Sequence, residues 1–163
     1  MSVVRIANYI RIYKVDPITD QPSDVYLFQN AKPNRTLSYE GKSYAYLGFI
    51  YQGAAKNRTG DNLTAQLMLS SNALSMNHAT EAVQKSYYVQ VDTCVMDADF
   101  ESPAANKPLS SEYWLAAGLS YDTEVCEVDL SSSIDAVGAS IPNFALTSRN
   151  VGALPSTASI TNA

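Results

Sequence analysis

The sequence predicts a mainly β fold of the β-rich α+β class: an antiparallel sandwich or barrel of short strands, one covering helix and an extended C-terminal arm. Three observations lead there. Short runs rich in β-branched and aromatic residues recur between Gly, Pro, Asn and Asp along most of the chain. One stretch, Ala73 to Lys85, carries helical rather than alternating periodicity. From Ser140 onward the chain holds turn residues and isolated apolar side chains without a repeating pattern, so that segment cannot build a core of its own. The expected organisation is a single β-rich domain over 1–146 and an arm over 147–163 that docks on a neighbouring subunit.

Tyr9-Ile-Arg-Ile-Tyr-Lys-Val15 is rich in strand formers and stops at Asp16-Pro17. Val25-Tyr-Leu-Phe28 follows a polar connection, and a turn at Lys32-Pro-Asn34 leads to Thr36-Leu-Ser-Tyr39. Glu40-Gly41 makes a tight turn into Lys42-Ser-Tyr-Ala-Tyr-Leu47, because Gly41 can take positive φ at little cost. After a polar loop over Gly53 to Asn62, Leu63, Ala65, Leu67 and Leu69 alternate on one face of a half-buried strand. Ser70-Ser-Asn72 offers an N-cap, and Leu74, Met76, Ala79, Ala82 and Val83 fall near one side of the helix that follows. Tyr87 to Met96 reads as a long strand, and Asp97 to Ser111, with two prolines, as a surface loop. Glu112 to Gly118 and Thr123 to Leu130 form a hairpin. The total is about seven or eight strands and one helix.

Composition narrows the function. A chain of 163 residues suits one domain that buries its own core without metal or disulfide. Only 17% of residues are charged, against about 25% in typical domains. Such a surface is either covered by other subunits or rich in hydroxyl and amide groups. The net charge of −5 and the lack of a basic run beyond Lys56-Asn-Arg58 argue against binding to phosphate backbones. Met1-Ser-Val-Val-Arg-Ile-Ala7 lacks the pattern of a secretory signal, and no run approaches the roughly 20 apolar residues of a membrane span. The expectation is a soluble product made in a cytoplasm. Cys94 and Cys126 lie in strand-like segments without ligand spacing and read as semi-buried free thiols, Cys126 pointing inward with Val128 and Leu130 and Cys94 alternating with Tyr88, Gln90 and Asp92. A disulfide would require those two strands to be adjacent.

Catalytic signals are weak. His78 is the single histidine and sits in the helix, where a packing or surface role outweighs acid–base work. No nucleophile elbow or phosphate loop is present. Asp97, Asp99 and Glu101 alternate beyond a strand end, as carboxylates for Ca²⁺ or sugar hydrolysis can, and as a solvated strand end also does. Glu124, Glu127 and Asp129 read as strand faces. No catalytic, cofactor or metal residue is assigned. The chain has 11 tyrosines, a side chain that suits interfaces and sugar stacking as well as strands.

Val25-Tyr-Leu-Phe28, Tyr39-Glu-Gly-Lys-Ser-Tyr44, the alternating strand ending in Ser70-Ser-Asn72, the helix, the strand ending at Met96-Asp97, Glu124-Val-Cys-Glu-Val-Asp-Leu-Ser-Ser132 and Ile141-Pro142 follow one another in a familiar order. From Tyr9 to Leu146 the chain resembles the N-terminal domain of the minor tail protein L family of long-tailed bacteriophages. The match is one of element order with short sequence echoes. The resemblance implies a virion protein of the tail tip or baseplate, assembled in the host cytoplasm. It would link the distal tail tube to the central hub, in a ring around the DNA channel. The implied partners are ring neighbours of the same chain and the distal-tail and hub proteins, with DNA passing through without specific binding and no membrane anchor. Larger members add a cysteine-rich module associated with an iron–sulfur cluster. Cys94 and Cys126 alone cannot supply one, so no cofactor is carried over.

The arm fits this reading. Ile141, Phe144, Leu146, Val151, Leu154 and Ile160 are its apolar anchors and are expected to fill pockets on another subunit. Two rival functions are a carbohydrate- or receptor-binding β-module, suggested by the tyrosines, and a small hydrolase using a carboxylate pair.

Overall fold

A computed structural model of the chain describes residues 4–53, 64–99, 101–105 and 107–132. Nine strands and one helix follow in the order β1 (Ile6–Val15), β2 (Pro22–Gln29), β3 (Leu37–Tyr39), β4 (Lys42–Tyr46), β5 (Phe49–Gln52), β6 (Thr64–Ser70), α1 (Ala73–Gln84), β7 (Tyr88–Val95), β8 (Ser110–Tyr121) and β9 (Val125–Ser131). The fold is therefore mainly β with one helix. All nine strands belong to one sheet ordered β3-β4-β2-β1-β7-β8-β9-β6-β5. Every pairing is antiparallel except β2 with β4, which run parallel through Phe28↔Ala45 and Gln29↔Tyr46. The ladder is open, so the finer expectation of an all-antiparallel sandwich or closed barrel gives way to a single mixed sheet.

Strong curvature explains why one sheet suffices. β4 lies near one end of the order and β5 at the other, yet only Leu47 and Gly48 separate them in sequence. The Leu47 amide donates to the Gln29 carbonyl at 3.0 Å, and the Asn30 side-chain amide donates to the Phe49 carbonyl at 3.4 Å. The sheet therefore bends into a bowl.

The concave face holds the larger core. Ile10 and Ile12 of β1, Phe28 of β2, Phe49 of β5, Leu67 and Leu69 of β6, Val89 and Val91 of β7, Trp114 of β8, and Val128 and Leu130 of β9 meet there. α1 lies across this face, against β8 and β9, with Ala79 and Ala82 buried. Asn72 caps the helix. Its side chain accepts from the Leu74 and Ser75 amides at 3.0 and 2.9 Å, while the Ser75 hydroxyl accepts from the Asn72 amide. The buried stripe is Ser75, Ala79 and Ala82, small residues that let the helix approach the sheet closely. Leu74, expected on that side, is 60% exposed because it sits about 100° round the helix from Ser75.

A smaller core occupies the convex face. Tyr39 of β3 stands against Tyr9 of β1, with ring centroids 4.5 Å apart, and Tyr44 meets Tyr9 edge-on at 5.2 Å. Cys94 and Met96 complete this cluster. Three strands separate β3 from β7 in the sheet order, so the β3–β4 hairpin must fold back over the convex face to bring Tyr39 to Cys94. The two-residue turn that allows this has φ of 49° at Glu40 and 73° at Gly41, the pairing that suits a hairpin of right-twisted strands. β1 and β7 are thus buried on both sides. Gln29, 0% exposed, anchors the connection beyond β2. Its amide nitrogen donates to the Lys32 and Arg35 carbonyls, and its oxygen accepts from the Ala31 and Lys32 amides.

Candidate interaction surface

His78, Asp97 and Glu101, singled out for chemistry, are engaged in structural contacts. The His78 ring packs 4.0 Å from that of Tyr26 and 5.6 Å from Phe28, and burial pushes its pKa down while Glu81 opposes the shift. Glu81 accepts hydrogen bonds from Lys85, Tyr26 and Tyr87. Those donors, Lys85 first, hold its carboxyl at about 2. Asp97 accepts from the Ser102 hydroxyl and the Glu101 amide. Glu101 pairs with Lys32 at 2.6 Å and Arg35 at 3.4 Å. Asp97 and Glu101 are therefore engaged with different neighbours. Among the described residues no group of three or more His, Cys, Asp or Glu side chains has the spacing to hold a metal ion.

Cys94 and Cys126 are both free and fully buried, Cys94 in the convex core and Cys126 in the concave one. β8 lies between their strands. Burial raises both thiol pKa values, which keeps the thiols protonated and unreactive. Within the concave core, the wholly apolar cavity between α1 and the sheet measures about 20 Å³, room for at most one water molecule. No substrate fits there.

Sequence reasoning did not place the features that remain on the surface. Tyrosine divides by face. Tyr9, Tyr39, Tyr44 and Tyr87 are buried, and Tyr26 and Tyr51 pack against the concave core. Tyr13, Tyr88 and Tyr113 lie on the convex face, where the register aligns Tyr13 with Tyr88 and Gln90 with Tyr113. Tyr13 and Tyr88 stack at 5.6 Å, and the Arg11 guanidinium lies 4.8 Å from the Tyr13 ring centre. Tyr113 is 62% exposed. The polar groups beside this row satisfy one another: Arg11 pairs with Asp24 and reaches Gln90, and Gln90 donates to buried Asp92.

A second feature lies at the far edge of the sheet. Ile50 pairs with Met68, and Ser70 pairs with Val125. Together with Gly48, Phe49, Leu69 and Glu124 they line an open concavity of about 500 Å³, mostly apolar. Gly48 and Ser70 are its small residues. Ile50 beside them is 62% exposed. Among the described residues β5 has no strand beyond it, and neither does β3 at the opposite edge. The expected arm anchors Ile141, Phe144, Leu146, Val151, Leu154 and Ile160, and the boundary at 146, lie outside the described residues.

Among the described residues no helix is long and apolar enough to cross a membrane. No protein-family model matches the chain, and no curated protein matches it in sequence.

Proposed function

We propose that this chain is a non-enzymatic structural subunit of a phage tail tip or baseplate, set in a ring between the distal tail tube and the central hub. The observation that carries the proposal is the exposed apolar and tyrosine surface on the convex face and at the β5–β6 edge, at Tyr113 and Ile50, outside a domain that already fills its own two cores. Such a surface, on a chain poor in charge and bordered by the edge strands β3 and β5, each paired on one side only among the described residues, suits burial against other protein chains. The engagement of Asp97 and Glu101 by neighbouring donors, and an interior cavity too small for a substrate, support a role without catalysis. The trailing segment from Ser140 would dock on the next copy.

The test is the mass of the full chain in solution, followed by electron microscopy of the assembled particle. Multiples of the 17.7 kDa subunit are expected. Removing residues 147–163 should leave a soluble, folded domain that assembles poorly. A truncated chain that assembles as well as the full one would count against the proposal.

A second reading has one observation in its favour. The stacked Tyr13–Tyr88 pair, with Tyr113 beside it, is an aromatic row of the kind that stacks on sugar rings. Against it, Arg11, Gln90 and Asp92 are bonded to one another rather than free to bind hydroxyls. Binding of glycans by the isolated chain, lost on Tyr113→Ala, would favour that reading.

A further inference from the structure

We infer that the concavity at the β5–β6 edge is the seat of the trailing segment of a neighbouring copy, with Phe144 entering it. This rests on the ring-subunit proposal above and names the acceptor site within it. Three observations select the occupant. The concavity is mostly apolar, with Ile50 and Met68 at its side and Gly48 and Ser70 leaving space for an inserted ring. The 31 residues after Ser132 hold apolar Ile141, Phe144 and Leu146 within six positions, yet only two charges, Asp135 and Arg149. Of these, the cation Arg149 complements the rim. Glu124 lines the concavity and Glu127 faces Met68 across the ladder, and among the described residues neither is paired with a cation. The one charge beyond Ser140 is the cation Arg149. An apolar anchor followed by a guanidinium matches an apolar hollow with the Glu124 carboxylate in its lining and Glu127 nearby on β9.

Reach alone does not decide which copy supplies the segment. Val125 borders the concavity at the start of β9, and the chain leaves from the other end at Ser131, roughly 20 Å away along the strand. Residues 133–143 extended could span about 36 Å, enough to return to the same body or to cross to another. The experiment therefore separates the two.

The full chain carrying Ile50→Cys and Phe144→Cys is oxidised mildly and run without reductant. A chain carrying Ile18→Cys and Phe144→Cys is the control, since Ile18 is 91% exposed on the β1–β2 connection. Covalent dimers and higher multimers from the first chain and none from the control are expected. A bridge closed within one chain would overturn both this inference and the docking of the arm on a neighbour. Without a bridge in chains that self-associate like the unaltered protein, this seat is wrong while the ring-subunit proposal stands. A strictly monomeric unaltered chain sinks both. Charge reversal gives an independent measure that leaves the cores untouched. Glu124→Lys should weaken self-association about tenfold, and adding Arg149→Glu should restore it. Equal association in all of these charge variants would overturn the inference.

Discussion

Glu81 ties three elements together by one carboxylate, accepting from Lys85 of its own helix end, from Tyr26 of β2 and from Tyr87 beside β7. Its folded pKa of about 2 lies below the ordinary glutamate value of 4.5. The stabilisation is therefore fully present above pH 4.5 and is lost as pH falls through about 2. Glu81→Gln should flatten the fall of the melting temperature over that acid interval, as followed by circular dichroism. Tyr51 does similar work across the bowl. Its hydroxyl donates to Glu112 at 2.6 Å and accepts from the Trp114 indole at 2.7 Å, joining β5 to β8. Burial, helped by the Glu112 charge, raises the Tyr51 pKa, so the phenol stays protonated. Tyr51→Phe leaves the buried indole N–H without its acceptor and should cost about 1–3 kcal/mol. Because Trp114 is the one tryptophan, its fluorescence reports the loss directly.

At the scale of elements, the Asn72 cap is the clearest local signal. Asn72→Ala should destabilise the fold by about 1 kcal/mol in a denaturant titration. Gly118 tests a quieter feature. β8 carries an extra residue between Ala116 and Gly118, and a Cβ on Gly118 would lie 2.9 Å from an Asp129 carboxylate oxygen. Gly118→Ala should push that exposed, flexible side chain off its Gln66 contact and cost less than about 1 kcal/mol, measured the same way. These two sites show what the chain discloses locally. The cap, the Glu40-Gly41 turn and the alternation of Ala65, Leu67 and Leu69 depend on neighbours within a few residues and are readable from them. Gly118 reads as the end of a strand, yet β8 runs through it to Tyr121, because a bulge is defined by the partner strand. β5 escapes notice because Phe49–Gln52 is short and continues the apolar stretch from Leu47, so no alternation marks it. In β7 both faces are buried, at Val91 and Asp92 alike, and alternation cannot show which face meets the larger core.

For the whole molecule, the class of fold is legible and its curvature is not. Strand-forming runs and a single helical period specify a β-rich domain, but only long-range register reveals that β3 and β4 cover the convex side. The same holds for the surface. The hollow beside β5 is made by residues 48, 68, 70 and 125, which come together through pairings of β5 with β6 and β6 with β9. The tyrosine excess shows in the composition, whereas its division between interior and exterior depends on the paired strands. One feature of this architecture bears on mechanical load. The stretch from Lys42 to Gln52 is stitched to β2 at its start and to β6 at its end. It works like the clasp of a bracelet, since the band cannot be straightened until one set of stitches gives way. The β2 side holds by two ladder pairs and the β6 side by four, so tension should part the clasp at β2 first and leave the remaining band intact.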